Sequence, residues 1–160
     1  MINGQHIRLD PYSKNDHYLK QASNPDDNHF CDLHEYTFRV IRPCLAFDDI
    51  NESDKPIVSL QSIRLDGHYY IRHDRKQLKI SKHNTNGDNT FNLDASFIVH
   101  PAMNNDKACV SFESTNYRGH FICLRADGTL YMKNKSQHEG HNSWCNSASF
   151  KLIITVSSFY

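Results

Sequence analysis

The chain has 160 residues, enough for one domain with a sizeable core, and its hydrophobic share of 38% is low for a soluble protein. Lysine plus arginine (18) equals aspartate plus glutamate (18), so the basic footprint that nucleic acid requires is missing and nucleic acid is excluded as the expected partner. No apolar run approaches the length of a membrane span.

The N-terminal stretch MINGQHIRLD has no apolar segment of the kind a secretory leader uses. A cytosolic setting is therefore favoured, and a secreted one follows if the chain is a processed form. Residues 1–54 carry 5 basic and 10 acidic side chains, and residues 55–160 carry 13 and 8. The ordinary consequence is a mild dipole, and the split also admits weak head-to-tail self-association. The five cysteines, Cys31, Cys44, Cys109, Cys123 and Cys145, form no CxxC pair. An odd count without a leader points to reduced, mostly buried thiols rather than disulfides.

Strands are expected at 5–9, at 17–21, near 29–31 and at 36–42. An acidic surface loop follows over 43–56, closed by Pro56 and pinned by Phe47, with at most one helical turn inside 45–55. Further strands are expected at 57–62, 69–73, 77–82 and 95–100, then at 109–114, 120–125, 129–133 and 148–154. The evidence is a period of two: Val58 and Leu60 alternate with Ser59 and Gln61, and Leu78 and Ile80 with Lys79 and Ser81. Asp66-Gly67, Asn86-Gly87, Asp127-Gly128 and Glu139-Gly140-His141 supply turn chemistry between the runs. No stretch shows the 3.6-residue periodicity of an amphipathic helix.

The order of segments repeats. VSLQS at Val58 returns as VSFES at Val110, 52 positions on, and GHYYIRH at Gly67 returns as GHFICLR at Gly119, also 52 on. LDASF, ending at Phe97, returns as NSASF, ending at Phe150, 53 on. HYLKQ (His17 to Gln21) and EYTF (Glu35 to Phe38) are worn copies in the first third. Three units, about 1–45, 56–101 and 108–156, then fill a single domain over 1–160. Four strands in each predict an all-β fold, a β-trefoil with pseudo-threefold symmetry.

VSLQS, YYIRH, DASF and VSFESTNYRGHF together resemble the arabinofuranose-binding (AbfB-type) β-trefoil carbohydrate-binding module, which fungal arabinofuranosidases carry behind their catalytic domain. The resemblance is close over 55–155 and weak over 1–54, and Arg118 stands where that family usually has proline. It implies a shallow sugar pocket in each unit. The histidine after the arginine would donate to hydroxyls, and the aspartate of D-A-S-F would accept from two neighbouring ones. A carboxylate suits this because it offers two acceptor oxygens and charge-assisted hydrogen bonds. By that pattern the second unit keeps His73 and Asp94, with Tyr69 and Tyr70 as the aromatic platform for sugar C–H groups. The first unit has Gln21 and Glu35, an altered pocket. The third has Leu124 and Ser147, and leucine cannot hydrogen-bond. The bland alternative is that Asp94 caps a turn and His73 is an ordinary satisfied histidine.

His138, His141 and Cys145 have zinc-ligand side chains at a plausible spacing, but they fall in a hairpin loop of a chain with 11 histidines, so no metal site and no cofactor is expected. H-E-x-x-H, G-x-S-x-G, G-x-G-x-x-G and P-loop patterns are missing, and no cleft-flanking carboxylate pair is evident. The expected function is a non-enzymatic, lectin-like module that recognises a terminal sugar, such as an arabinofuranosyl or galactosyl group, through one surviving pocket. The alternative is a protein-interaction module with relic sugar sites and a protein as partner.

Overall fold

The alternation read from the sequence becomes strands. The computed structural model describes residues 6–11, 37–42, 44–46, 55–62, 68–74, 77–83, 89–125, 130–137 and 142–155. Among them ten strands form: β1 (His6–Pro11), β2 (Thr37–Ile41), β3 (Ile57–Ser62), β4 (Tyr69–Asp74), β5 (Gln77–Lys82), β6 (Phe97–Pro101), β7 (Cys109–Ser114), β8 (His120–Leu124), β9 (Leu130–Asn134) and β10 (Phe150–Thr155). Each lies within two residues of its expected limits. The expected strands at 17–21 and 29–31, and Phe47, lie outside the described residues.

Two short helices were not legible in the sequence: α1 (Asn89–Asp94) and α2 (Asn142–Ser147), together with a 3₁₀ turn at Lys135–Gln137. Six residues are too few to display a 3.6-residue pattern. Each helix instead sinks one aromatic side chain, Phe91 or Trp144. Their last carbonyls are met by serines of the following strand entry: Ser96 Oγ donates to Asn92 O at 2.8 Å, and Ser149 Oγ donates to Cys145 O at 2.7 Å.

The pairing corrects the expected architecture. The fold is all-β, but β3, β4, β5, β9, β8, β7 and β6 follow one another in an antiparallel ring that closes through β6 on β3, a seven-strand barrel. Strands β10, β1 and β2 are added outside that ring and run from β7 back to β3. A β-trefoil of three equivalent four-stranded repeats is therefore not the observed fold. The reason is lateral pairing. β5 joins β9 through Gln77↔Tyr131, so hairpins of adjacent repeats share one ladder, and the first third contributes only β1 and β2 among the described residues. What does recur is the order strand, strand, strand, helix, strand: β3–β4–β5–α1–β6, then β7–β8–β9–α2–β10.

The main core draws on nine strands, with Phe38, Leu60, Ile71, Leu78, Phe97, Phe112, Ile122, Leu130 and Phe150 essentially inaccessible. The polar face of β3 and β7 is buried too, because neighbouring segments cover it. Ser59 Oγ accepts from Leu45 N at 3.1 Å, and Ser111 Oγ accepts from Met103 N at 3.1 Å while donating to Ala148 O at 2.6 Å. A buried hydroxyl satisfied in this way ties the covering segment to the strand without a desolvation penalty. Among the described residues Cys44, Cys109, Cys123 and Cys145 are free thiols, and Cys31 lies outside them. Burial pushes the Cys109 thiol up, and pushes Cys123 up to about 12.

Candidate functional site

β4 ends in Tyr69-Tyr70-Ile71-Arg72-His73-Asp74, and strand alternation sends successive side chains to opposite faces. Ile71 goes to the main core. Tyr70 joins Phe91 and Ala95 in a second apolar cluster, where burial pushes its phenol up. Tyr69 is half-buried opposite Lys82. His73 is buried at the strand end, where the last residue of α1, Asp94, meets it: His73 Nε2 lies 3.4 Å from Asp94 Oδ1. The structure thus brings together the two polar residues singled out in the second unit. Gln21 and Glu35 lie outside the described residues.

Three further residues complete the cluster. His73 Nε2–H donates to Asn116 Oδ1 at 2.8 Å, and Ser114 Oγ lies 3.0 Å from the same nitrogen. Ser114 Oγ donates to Asn116 Oδ1 at 2.9 Å, and Asn116 Nδ2 donates to Asp94 Oδ1 at 2.8 Å. On the other side of the carboxylate, Arg72 Nη1 stands 3.7 Å from Asp94 Oδ2. The guanidinium also lies over the Phe91 ring at 5.4 Å, a cation–π placement that fixes its stem. Nδ1 of His73 and Nε of Arg72 are buried without a hydrogen-bond partner among the described residues. The arrangement holds a carboxylate and an amide side by side, one buried edge backed by His73 and one open edge.

The aromatic ring beside His73 is Tyr117, stacked at 6.1 Å and 26° and itself stacked on His120 at 3.8 Å. Tyr117 is 38% exposed, a large apolar surface next to polar donors and acceptors. Asn116 and Tyr117 sit on the β7–β8 turn, which belongs to the third repeat. The turn is held from below by Glu113, whose Oε1 accepts from Gly119 N at 2.8 Å. Gly119 has φ +77°, which side chains rarely adopt. Glu113 Oε2 accepts from His100 Nε2–H at 2.7 Å, and Lys55 Nζ donates to His100 Nδ1 at 3.2 Å. Burial lowers the His100 pKa below its ordinary 6.5, against the pull of Glu113.

Sequence reasoning missed Asn116, Ser114, Tyr117 and Arg72. A signal was present. The third repeat reads S-T-N-Y-R-G where the second reads S-I-R-L-D-G, so the polar-aromatic turn occurs in the unit whose own pocket residues are Leu124 and Ser147. The turn serves the neighbouring repeat. Among the described residues no group of three metal-ligating side chains occurs; His138 and His141 lie outside them, and Cys145 is on α2. No helix among them is long and apolar enough to cross a membrane.

The family model of the alpha-L-arabinofuranosidase B (ABFB) domain matches residues 7–152. The chain belongs to this family. No curated protein matches it. Among solved structures, an arabinofuranosidase complexed with arabinofuranosyl-alpha-1,2-xylobiose is 20% identical, with TM-score 0.69, covering 99% of this chain and 32% of that one. A GH54 α-L-arabinofuranosidase soaked with a cyclic sulfate inhibitor is also 20% identical, with TM-score 0.67, covering 95% of this chain and 31% of that one. This ABFB domain therefore spans about a third of the length of the solved chains it matches, and shares the fold of that part.

Proposed function

We propose that this ABFB domain is a non-catalytic sugar-binding module whose site is the seam between α1 and the β7–β8 turn. The observation that supports the reading is the convergence of Asp94 and Asn116, hydrogen-bonded to each other, beside the exposed Tyr117 ring. Vicinal hydroxyls need paired donors and acceptors, and a sugar's C–H face needs an aromatic one. Asn116 is exposed and offers its amide, while the Asp94 side chain is 14% exposed and offers its remaining lone pairs. His73 acts by holding Asn116, and Arg72 by steadying the carboxylate. An arabinofuranosyl or galactosyl terminus, with its adjacent hydroxyls, is the sugar this reading assigns to it.

Catalysis is not part of the reading. Glycoside hydrolysis uses two carboxyl groups roughly 5–10 Å apart across a sugar. Asp94 has Arg72, His73 and Asn116 as its polar neighbours. One open site of this kind binds with a dissociation constant of order high micromolar to millimolar. Titration calorimetry or ligand-observed NMR with arabinofuranosyl and galactosyl oligosaccharides tests it. Binding by the wild type that Asp94→Ala removes is expected. Equal binding by Asp94→Ala overturns the site, and no binding of any sugar overturns the function.

A further inference from the structure

The two repeats differ at a second place, beside the helices. In the second repeat His83 follows β5, and its backbone N donates to His68 O. Its ring packs on Phe91 at 5.1 Å and edge-on to Tyr70 at 5.9 Å, and its Nε2–H donates to Asn92 Oδ1 at 2.8 Å. A flat heteroaromatic ring thus plugs the space above α1.

In the third repeat Lys135 holds the same backbone place, with its N donating to Gly119 O at 2.8 Å. Trp144 replaces Phe91, and Cys145 replaces Asn92, each at the same position along its helix. Lysine has no ring to lay on the aromatic, and cysteine has no amide to receive it. The plug is missing, and a cavity of about 430 Å³ opens there, with Lys135, Cys145, Trp144, Met103, Ala102 and Asn105 on its walls. That size falls in the range of small-molecule sites. Ala102 and Trp144 are buried, so part of the wall is apolar. His100 adds only its ring surface, because its two nitrogens are engaged by Lys55 and Glu113. No lining residue is acidic, and among the described residues no carboxylate pairs with Lys135.

We propose that this cavity is a second ligand site, separate from the Asp94–Asn116 cluster, and that it takes a small aromatic carboxylate. The ring lies where the imidazole of His83 lies in the second repeat, and the anionic group meets Lys135 at the rim. The apolar floor selects the ring, and the Lys135 ammonium, which no carboxylate among the described residues pairs, selects the charge.

Trp144 is the single tryptophan of the chain, so its fluorescence and indole N–H resonance report this site alone. Benzoate is the probe, with benzyl alcohol as its neutral counterpart. A saturable change at Trp144 with benzoate, at least about tenfold weaker with benzyl alcohol and in Lys135→Gln, is expected. The double change Lys135→His with Cys145→Asn rebuilds the plug of the second repeat and should abolish the response. Benzoate should also slow alkylation of Cys145, read by peptide mapping on the wild type, which needs no variant to fold. No saturable response, equal response to benzyl alcohol, or unprotected Cys145 at saturating benzoate overturns the proposal. None of these outcomes depends on sugar binding.

Discussion

At the end of β4 the second repeat carries Arg72-His73, and at the matching end of β8 the third carries Cys123-Leu124. The register makes them equivalent, because Tyr70 lies opposite Gln61 as Phe121 lies opposite Glu113. Asp94 closes α1 where Ser147 closes α2. One repeat thus has a charged, hydrogen-bonded cluster and the other a thiol held uncharged by burial, a leucine and a serine whose hydroxyl donates to Trp144 O at 2.8 Å. The backbone tolerates both. Its stability comes from Phe97 and Phe150, Leu60 and Phe112, and the paired serines below them, all shared by the two repeats. A site can therefore be lost from a repeat while the repeat stays folded, and its turn can go on serving its neighbour.

The comparison breaks most sharply if the shared core is not shared in energy. Phe97→Ala and Phe150→Ala, both fully buried in the same cluster, should each cost about 3–5 kcal/mol in denaturant unfolding. A large difference between them would mean that the repeats are not equivalent in packing.

The next effect in size is at the site. Asn116→Ala removes the bond to Asp94 and the acceptor of His73, so sugar affinity should fall roughly ten- to a hundredfold, as for loss of one hydrogen bond to a charged group. Calorimetry on Asn116→Ala, whose residue belongs to the third repeat in sequence, checks whether the site crosses the seam. Unchanged affinity would confine the site to the second repeat.

A smaller effect is set by pH. The folded pKa of His100 is lowered from 6.5, so below that value the unfolded chain takes up a proton that the folded chain resists. The stability tied to neutral His100 is complete above pH 6.5 and is lost as pH falls through the folded pKa. Facing groups are Lys55, which repels the proton, Glu113, which attracts it, and Arg118, which repels it. The Tm difference between wild type and His100→Gln, measured from neutral to mildly acidic pH, should shift in favour of the variant on acidification. A difference that does not move with pH would sink this account. The smallest expected effect is Ser147→Ala, which should leave sugar binding unchanged, because its repeat lacks the other members of the cluster.

Much of this was legible in the chain itself. The 52-residue spacing of VSLQS and VSFES located four strands in each of two repeats, because side-chain alternation is local and survives into the folded strand. The family resemblance singled out His73 and Asp94, and the fold brings them within 3.4 Å of each other because the end of β4 and the end of α1 meet in one repeat. The expected trefoil failed for a different reason. Which strands share a ladder is a long-range matter, and the Gln77↔Tyr131 pairing joins residues 54 positions apart that no local pattern connects.

Short-range periodicity and motifs compared at equal spacing were enough for the all-β composition, the strand limits and the repeat, while the aspartate–histidine pair came from the family resemblance those motifs carry. The closure of the strands into a barrel, the place of Tyr70 in the core and of Tyr117 at the surface, and the reach of Asn116 from the next repeat were set by long-range packing. It also decided that Lys135 leaves open the space that His83 fills. These outcomes depend on which segments cover one another, and that is fixed by packing and hydrogen bonding between residues distant in the chain.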